Sequence, residues 1–393
     1  MRKTVWRVAL CAGLFSLPAG ADTGNISVYG TLNVDLESVK ATGAADPAAD
    51  YVNRFRIQSN SSNFGIKGDE KIAKDLSAVF QLEMSVDVAA GYGEVSGRNS
   101  MVGLSGELGT IIYGKWDTPY RNVQAFMDPF YSTGIGYLAS ILDTMGQGST
   151  STTFLSGGGS SVADALSFSR RQGNSIQYWS PDFVGASVKL AYSTNRDRSS
   201  DPSNHKNPDL LSAALNYEQG PINLGVAYEQ HDDFMSASAH PITGVTALKT
   251  QDRGFKIAAG FKPFEDTSLG VAWDVLKYGQ YTDFGDSFYK RNALALSTTQ
   301  KLDEYTVRGA YGFATDGTCT RASGAACDTA GLGAEFATIG GSYSLSGRTD
   351  LYVIFSKIWN GNNNYNFAIG QVNAALPAGA DPQGLGLGIR HNF

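Results

Sequence analysis

Histidine and cysteine are scarce in this chain, with four and three among 393 residues. A zinc site needs such ligands at close, regular spacing. His205, His231 and His240 fall in or beside long polar connections, and His391 lies near the chain end. None stands at ligand spacing from another, so no metal centre is expected. Catalysis needs a converging acid, base and nucleophile, and no such set is legible here. Gly384-Leu-Gly-Leu-Gly388 is glycine-rich, but it sits on an alternating segment with no helix after it, so the phosphate-binding context is absent. No cofactor is expected, and the chain does not read as an enzyme.

An excess of basic charge is missing too. The chain has 31 Lys and Arg against 37 Asp and Glu, a net charge of −6, which argues against a nucleic-acid partner. Nor is there a run of the roughly eighteen uncharged apolar residues that a transmembrane helix needs. The short apolar run at 8–17 follows Arg2, Lys3 and Arg7 and precedes Pro18 and Ala19-Gly20-Ala21. A basic start, a short apolar core and a small-x-small site make a secretory signal peptide. Cleavage is expected after Ala21, giving a leader over 1–21 and one domain over 22–393. The leader carries those three basic residues and no acid, so its loss takes the net charge from −6 to −9. Cys11 leaves with it. Cys319 and Cys327 flank a polar, small-residue stretch, and in an exported chain that pattern predicts one disulfide closing a loop tip.

What the chain has in abundance is alternation. One face of the first segment reads Ile26, Val28, Gly30, Leu32, Val34, Leu36, and the other reads Ser27, Tyr29, Thr31, Asn33, Asp35, Glu37. A second run alternates Leu76, Ala78, Phe80, Leu82, Met84, Val86 with Ser77, Val79, Gln81, Glu83, Ser85, Asp87. A period of two marks strands with one apolar and one polar face. The runs last about ten residues, as a tilted strand crossing a bilayer requires, and they recur about sixteen times. Connections such as 106–108, 219–221 and 301–304 are short. Others, among them 40–52, 194–208, 231–251, 277–290, 314–335 and 359–382, are long and polar. Tyr178, Tyr192, Tyr217, Tyr228, Phe261, Tyr305, Tyr343 and Phe393 stand near strand ends, where amphipathic rings suit bilayer interfaces. The expected fold is all-β: a transmembrane antiparallel β-barrel of sixteen strands, with short periplasmic turns and long extracellular loops.

Particular fragments carry a family resemblance. They are Ser27-Val-Tyr-Gly-Thr31, Asn63-Phe-Gly-Ile-Lys-Gly-Asp-Glu70, Val79-Phe-Gln-Leu-Glu83, Arg98-Asn-Ser-Met-Val-Gly-Leu-Ser105, Gly109-Thr-Ile-Ile-Tyr-Gly-Lys115, Asn174-Ser-Ile-Gln-Tyr178 and Gly388-Ile-Arg-His-Asn-Phe393. In this order the chain resembles general Gram-negative outer-membrane porins of the trimeric, sixteen-stranded kind, most nearly those of β-proteobacteria. The resemblance covers nearly all of the chain after the leader. It implies a homotrimer in the lipid bilayer and lipopolysaccharide of the cell outer membrane. It also implies a water-filled channel for passive diffusion of small hydrophilic solutes and ions. The terminal Phe393 resembles the signal read by the barrel-assembly machinery.

The segment 116–169 sits where such porins fold their third loop into the lumen, and Asp128-Pro-Phe130 resembles the start of that loop. The resemblance implies a constriction between basic wall residues and acidic loop residues. By position these are Lys115, Arg98 and Arg171 on the wall and Asp128 and Asp143 on the loop, with Glu83 and Asp35 adding lumen acids. Arg308 also falls on a polar face. Thr31 and Asn63 are neutral where relatives often carry Lys or Arg, so weak selectivity tilted toward cations is expected. A second class of function is a surface receptor or adhesin that uses the extracellular loops. Conductance distinguishes the two, because a binding module need not conduct.

Overall fold

A strand inside hydrocarbon has no water for its N–H and C=O groups, so a sheet of alternating strands is stable there only if it closes on itself. In the computed structural model it does. The structure describes residues 24–393 apart from 132, 146, 149–165, 195–207, 236–238, 241, 248, 363–364 and 370–375. The leader expected over 1–21 lies outside the described residues.

Nineteen segments make a single sheet. The first five strands are β1 (Asn25–Thr42), β2 (Tyr51–Ser59 and Asn63–Ala73), β3 (Leu76–Asp87), β4 (Tyr92–Glu94 and Ser100–Gly106) and β5 (Gly109–Asp117). Then come β6 (Arg171–Trp179), β7 (Ala186–Thr194), β8 (Asp209–Gln219), β9 (Ile222–Asp232), β10 (Lys249–Phe264) and β11 (Thr267–Thr282). The last are β12 (Gly285–Leu302), β13 (Tyr305–Ala314 and Thr318–Thr320), β14 (Ala334–Ser346), β15 (Thr349–Asn360) and β16 (Asp381–Asn392). Three strands are interrupted, so the nineteen segments are the sixteen antiparallel strands of a closed barrel. Closure is made by β1 and β16, which pair from Thr31↔Asn392 to Thr42↔Asp381. Beyond them Gly30 and Phe393 exchange two backbone hydrogen bonds of 3.0 Å.

The two faces follow the alternation. Val28, Leu104, Leu215, Leu296 and Leu387 project outward and are exposed, while Asn33, Glu37, Ser212, Glu229, Lys256 and Arg291 point inward and are buried. A water-soluble protein would invert this arrangement; a barrel in lipid requires it.

Strand edges depart from the sequence expectation most at two places. The expected long connection 277–290 is instead continuous ladder from Lys277↔Lys290 to the tight turn at Thr282↔Gly285. Its inward side is held by Tyr278 stacked on Tyr289, 6.3 Å apart. Apolar alternation stops where a strand leaves the lipid, but pairing need not, so polar hairpin extensions look like loops in a sequence. Likewise β2 begins at Tyr51, inside the expected 40–52 connection, and is broken at 60–62. There Ser61 adopts a positive φ of 57°, and the Ser62 hydroxyl accepts from the Asn33 amide at 2.9 Å, mending the ladder. Cys319 and Cys327 are bridged as expected, with Cα atoms 5.6 Å apart. A loop this short contributes about 2 to 3 kcal/mol on a chain-entropy estimate.

The apolar core lies inside the barrel, between the wall and the segment that follows β5. That wall is built of small residues. Ala214, Ala227, Ala258, Ala272, Ala295 and Ala310 are all buried inward. Between them glycines admit side chains of the segment at close range. A Cβ on Gly225 would stand 2.9 Å from Val123, one on Gly260 2.9 Å from Phe126, and one on Gly340 2.8 Å from Phe130. On Gly270 it would stand 2.6 Å from the Met127 Cβ. The Ser297 hydroxyl completes the bed by donating to the Met127 carbonyl at 2.5 Å. A side chain at Gly270 therefore has nowhere to go unless the loop lifts. Gly270→Leu should lower stability by about 1 to 3 kcal/mol, the usual range for overpacking. It should also raise single-channel conductance. An unchanged unfolding temperature and conductance would mean that the loop does not lie on β11.

Candidate functional site

The chain enters the lumen at the end of β5. Thr118 caps a short helix α1 (Pro119–Asn122): its hydroxyl accepts the Arg121 amide at 3.3 Å, and Pro119 starts the turn. The missing N–H of proline costs nothing at that position. This turn aims the third loop across the barrel toward Lys256 on β10.

Lys256 is fully buried and gathers the loop around itself. Its ammonium donates to Asp143 and, at 2.8 Å, to the side-chain oxygen of Gln124, and Asp274 on β11 lies 4.0 Å away. The Gln124 amide donates to the other Asp143 oxygen at 3.0 Å. Tyr120 puts its ring 4.2 Å under the ammonium and donates its hydroxyl to Asp274. Burial, reinforced by the Asp274 and Asp143 carboxylates, pushes the Tyr120 phenol well above its ordinary range, so it stays a donor. Farther on, the buried Arg291 donates to the Ile141 and Leu142 carbonyls at 3.1 and 2.6 Å. Asp128 ties the middle of the loop. One carboxylate oxygen accepts the Phe130 amide at 2.9 Å, and the other accepts the Leu138 amide at 3.0 Å.

Asp128 and Asp143, expected to face the pore from the loop, are therefore buried anchors. In the sequence both are polar residues of a long connection. The groups that claim them, a lysine more than a hundred positions away and two backbone amides, are not legible there. Asp35 is also nearly buried, 3.2 Å from the Tyr352 hydroxyl.

The other expected residues gather on the opposite wall. Glu83 and Arg98 form an ion pair at 2.5 Å, with the Tyr29 hydroxyl on the second Glu83 oxygen at 2.9 Å. Asp117 takes Arg171 at 3.1 Å and Arg121 at 3.2 Å, and the Asn99 amide at 2.9 Å. Lys115 lies across from Ser100 on β4 and has no ion pair among the described residues. Asp117 and Arg121 were not expected at this site. Their signal in the sequence was the i,i+4 spacing across the Thr118-Pro119 helix start. The resulting patch holds four cations, Arg98, Lys115, Arg121 and Arg171, with Glu83 and Asp117 in ion pairs among them and Glu94 near Lys115. It contains no nucleophile poised beside a base, and no group of histidine, cysteine or carboxylate among the described residues is arranged to hold a metal.

A barrel closed in lipid, crossed by an inward loop and lined with charge on the facing wall, has the geometry of a narrowed aqueous pore. The family model for Gram-negative porins matches residues 8–363. The chain belongs to the Gram-negative porin family. Among curated relatives, this porin is similar to an outer membrane porin protein of Bordetella pertussis, at 27% identity over the whole of both chains. It is also similar to the major outer membrane protein P.IB of Neisseria meningitidis, at 22% identity over the whole of both. Among solved structures it resembles an anion-selective porin from Comamonas acidovorans, with a TM-score of 0.70 and 20% identity, covering 94% of this chain and 100% of that one. It also resembles OmpT of Vibrio cholerae in a trimer form, with a TM-score of 0.62 and 16% identity, covering 95% of this chain and 100% of the other. This porin is an outer-membrane channel for passive diffusion of small solutes, not an enzyme.

Two outcomes follow from the loop anchors. Lys256→Met leaves Asp143 and Asp274 buried without their cation, which should cost about 3 to 5 kcal/mol. Asp143→Asn in that background should recover part of it. A single variant as heat-stable as wild type would mean that water, not protein, surrounds the pair. The second outcome depends on pH. Burial pushes the Asp128 carboxyl from 3.8 up to about 7 against its two amide donors. The folded protein thus holds this proton more tightly than the unfolded chain does. Its contribution is full below about pH 4 and is lost as pH rises toward 7. Wild type should lose unfolding temperature across that window, and Asp128→Asn should lose less. Parallel curves for the two proteins would remove Asp128 from the balance.

Proposed function

We propose that the constriction of this porin is governed by Arg98, Lys115, Arg121 and Arg171 with Glu83 and Asp117, and that it passes anions in modest preference over cations. The observation that carries this reading is the withdrawal of Asp128 and Asp143 into buried anchoring contacts. With them out of the lumen, the wall patch keeps more cations than anions even when Glu94, the carboxylate nearest Lys115, is counted, and Lys115 makes no direct ion pair among the described residues. Charges beyond about 10 Å are largely screened at 0.1 M salt, so this local excess outweighs the negative charge of the whole chain. Low-dielectric walls strengthen its effect on a passing ion. The expected tilt toward cations drew on neutral Thr31 and Asn63 and on Glu83, Asp35, Asp128 and Asp143; with the two loop acids in buried contacts, the balance in this reading shifts toward anions.

The chain works as a homotrimer in this reading, with residues 1–21 removed as a leader and lipopolysaccharide around its outer rim. Phe393 serves recognition by the barrel-assembly machinery. Its outward ring lies 6.4 Å from that of Phe64, at an exposed strand end.

Reversal potentials in a KCl gradient test the selectivity. Wild type should favour chloride, and Lys115→Gln should lower the chloride-to-potassium permeability ratio by about fivefold. One unit charge at roughly 8 Å in water is worth about 0.5 kcal/mol to each ion, with opposite sign for chloride and potassium. A cation-selective wild type, or a Lys115→Gln channel with an unmoved reversal potential, refutes the assignment.

A further inference from the structure

Beneath the third loop, on the side of the short turns, the wall from β13 to β16 and β1 lines a recess that opens to solvent. Its polar side is set by strand pairing. Arg308 on β13 donates to the Ser342 hydroxyl on β14 at 2.8 Å, which fixes its guanidinium toward the recess. Asp350 on β15 stands directly across from Arg390 on β16. Asp350 accepts the Ser344 hydroxyl at 2.7 Å. The Arg390 guanidinium makes no hydrogen bond or ion pair among the described residues, although it lines the same space. The roof is apolar: Pro129 and Phe130 of the loop, with Phe130 seated against the bare backbone of Gly340.

We infer that this recess is a solute-binding subsite for monocarboxylates with an apolar ring or chain, which the channel holds briefly beneath its constriction. The inference rests on the reading of this protein as a diffusion channel. Two guanidiniums against one carboxylate leave a single positive charge, which matches one carboxylate better than a dicarboxylate or a phosphate. Arg390 supplies the open fork, and planar guanidinium groups take carboxylates through two parallel hydrogen bonds. Phe130 and Pro129 cover the apolar part of the solute, as in most small-molecule sites, where a few convergent polar groups orient a mostly apolar body.

Benzoate is the probe. In planar bilayers at fixed KCl, benzoate should reduce channel conductance with saturation. Benzamide, which lacks the charge, should leave it unchanged. Acetate, which lacks the ring, should need about tenfold higher concentration, given the apolar area it cannot bury. Arg390→Ala should raise the half-saturating benzoate concentration about tenfold, the expected loss of a charge-assisted pair, and Arg390→Lys should restore part of it. Arg390 lies three residues from the chain end, so Arg308→Gln on a different strand provides an independent variant, with the same direction expected. Block that is equal for benzoate and acetate, or unmoved in both arginine variants, overturns the subsite. Saturation-transfer NMR on the detergent-solubilised protein reads benzoate binding without any current. A chain that binds through Arg390 but never conducts keeps the subsite and sinks the channel. A conducting chain with no variant-sensitive binding does the reverse.

Discussion

Every peptide group of a strand in hydrocarbon must find its partner within the protein, and from this one requirement the rest of the architecture descends. A strand that pairs on both sides cannot have an edge, so the first and last strands must meet. β1 and β16 do so over twelve residue pairs, from Thr31↔Asn392 to Thr42↔Asp381. Once closure is imposed, the period of two allows only one orientation. Leucines and valines face lipid, and Asn33, Glu37 and Lys256 face the interior. The interior must then be either water or something that satisfies polar groups, and here it is partly each.

The part that is not water is organised by Lys256. A buried ammonium is costly unless its charge and donors are met, and Asp143, Gln124 and Asp274 meet them from two different parts of the chain. Because Asp143 and Gln124 belong to the third loop, satisfying the lysine also decides where the loop lies. The glycine and alanine wall beneath it receives Val123, Met127 and Phe130, which are buried there, and takes the half-exposed Phe126 ring against Gly260. An ion pair and a smooth bed thus act on the same segment, one supplying direction and the other contact area.

The lumen that results is lopsided. The loop packs on the wall from β8 to β16, and Glu83, Arg98, Lys115, Asp117 and Arg171 stand on the remaining wall of β3 to β6. The same displacement leaves the recess beneath Phe130 open toward the short-turn end, with Arg308 and Arg390 on its wall. The proposed constriction and the recess are therefore two consequences of one loop position, and a change in the Lys256 contacts should be felt at both.

The sequence by itself determined the class of fold, the number of strands and the face each side chain takes. The period of two is a local property, and lipid on one side leaves it a single meaning. It also contained the Cys319–Cys327 bridge, because a loop of eight positions needs no distant information. It did not contain the limits of the polar hairpin at 277–290, since hydrogen bonding continues where hydrophobic alternation has ended. Nor did it contain the roles of Asp128 and Asp143. Whether a loop carboxylate faces water or a buried partner depends on which wall residue arrives opposite it. Lys256 reaches Asp143 only after ten strands have been laid side by side, and such a meeting between positions 113 apart in the chain exists only in the folded barrel.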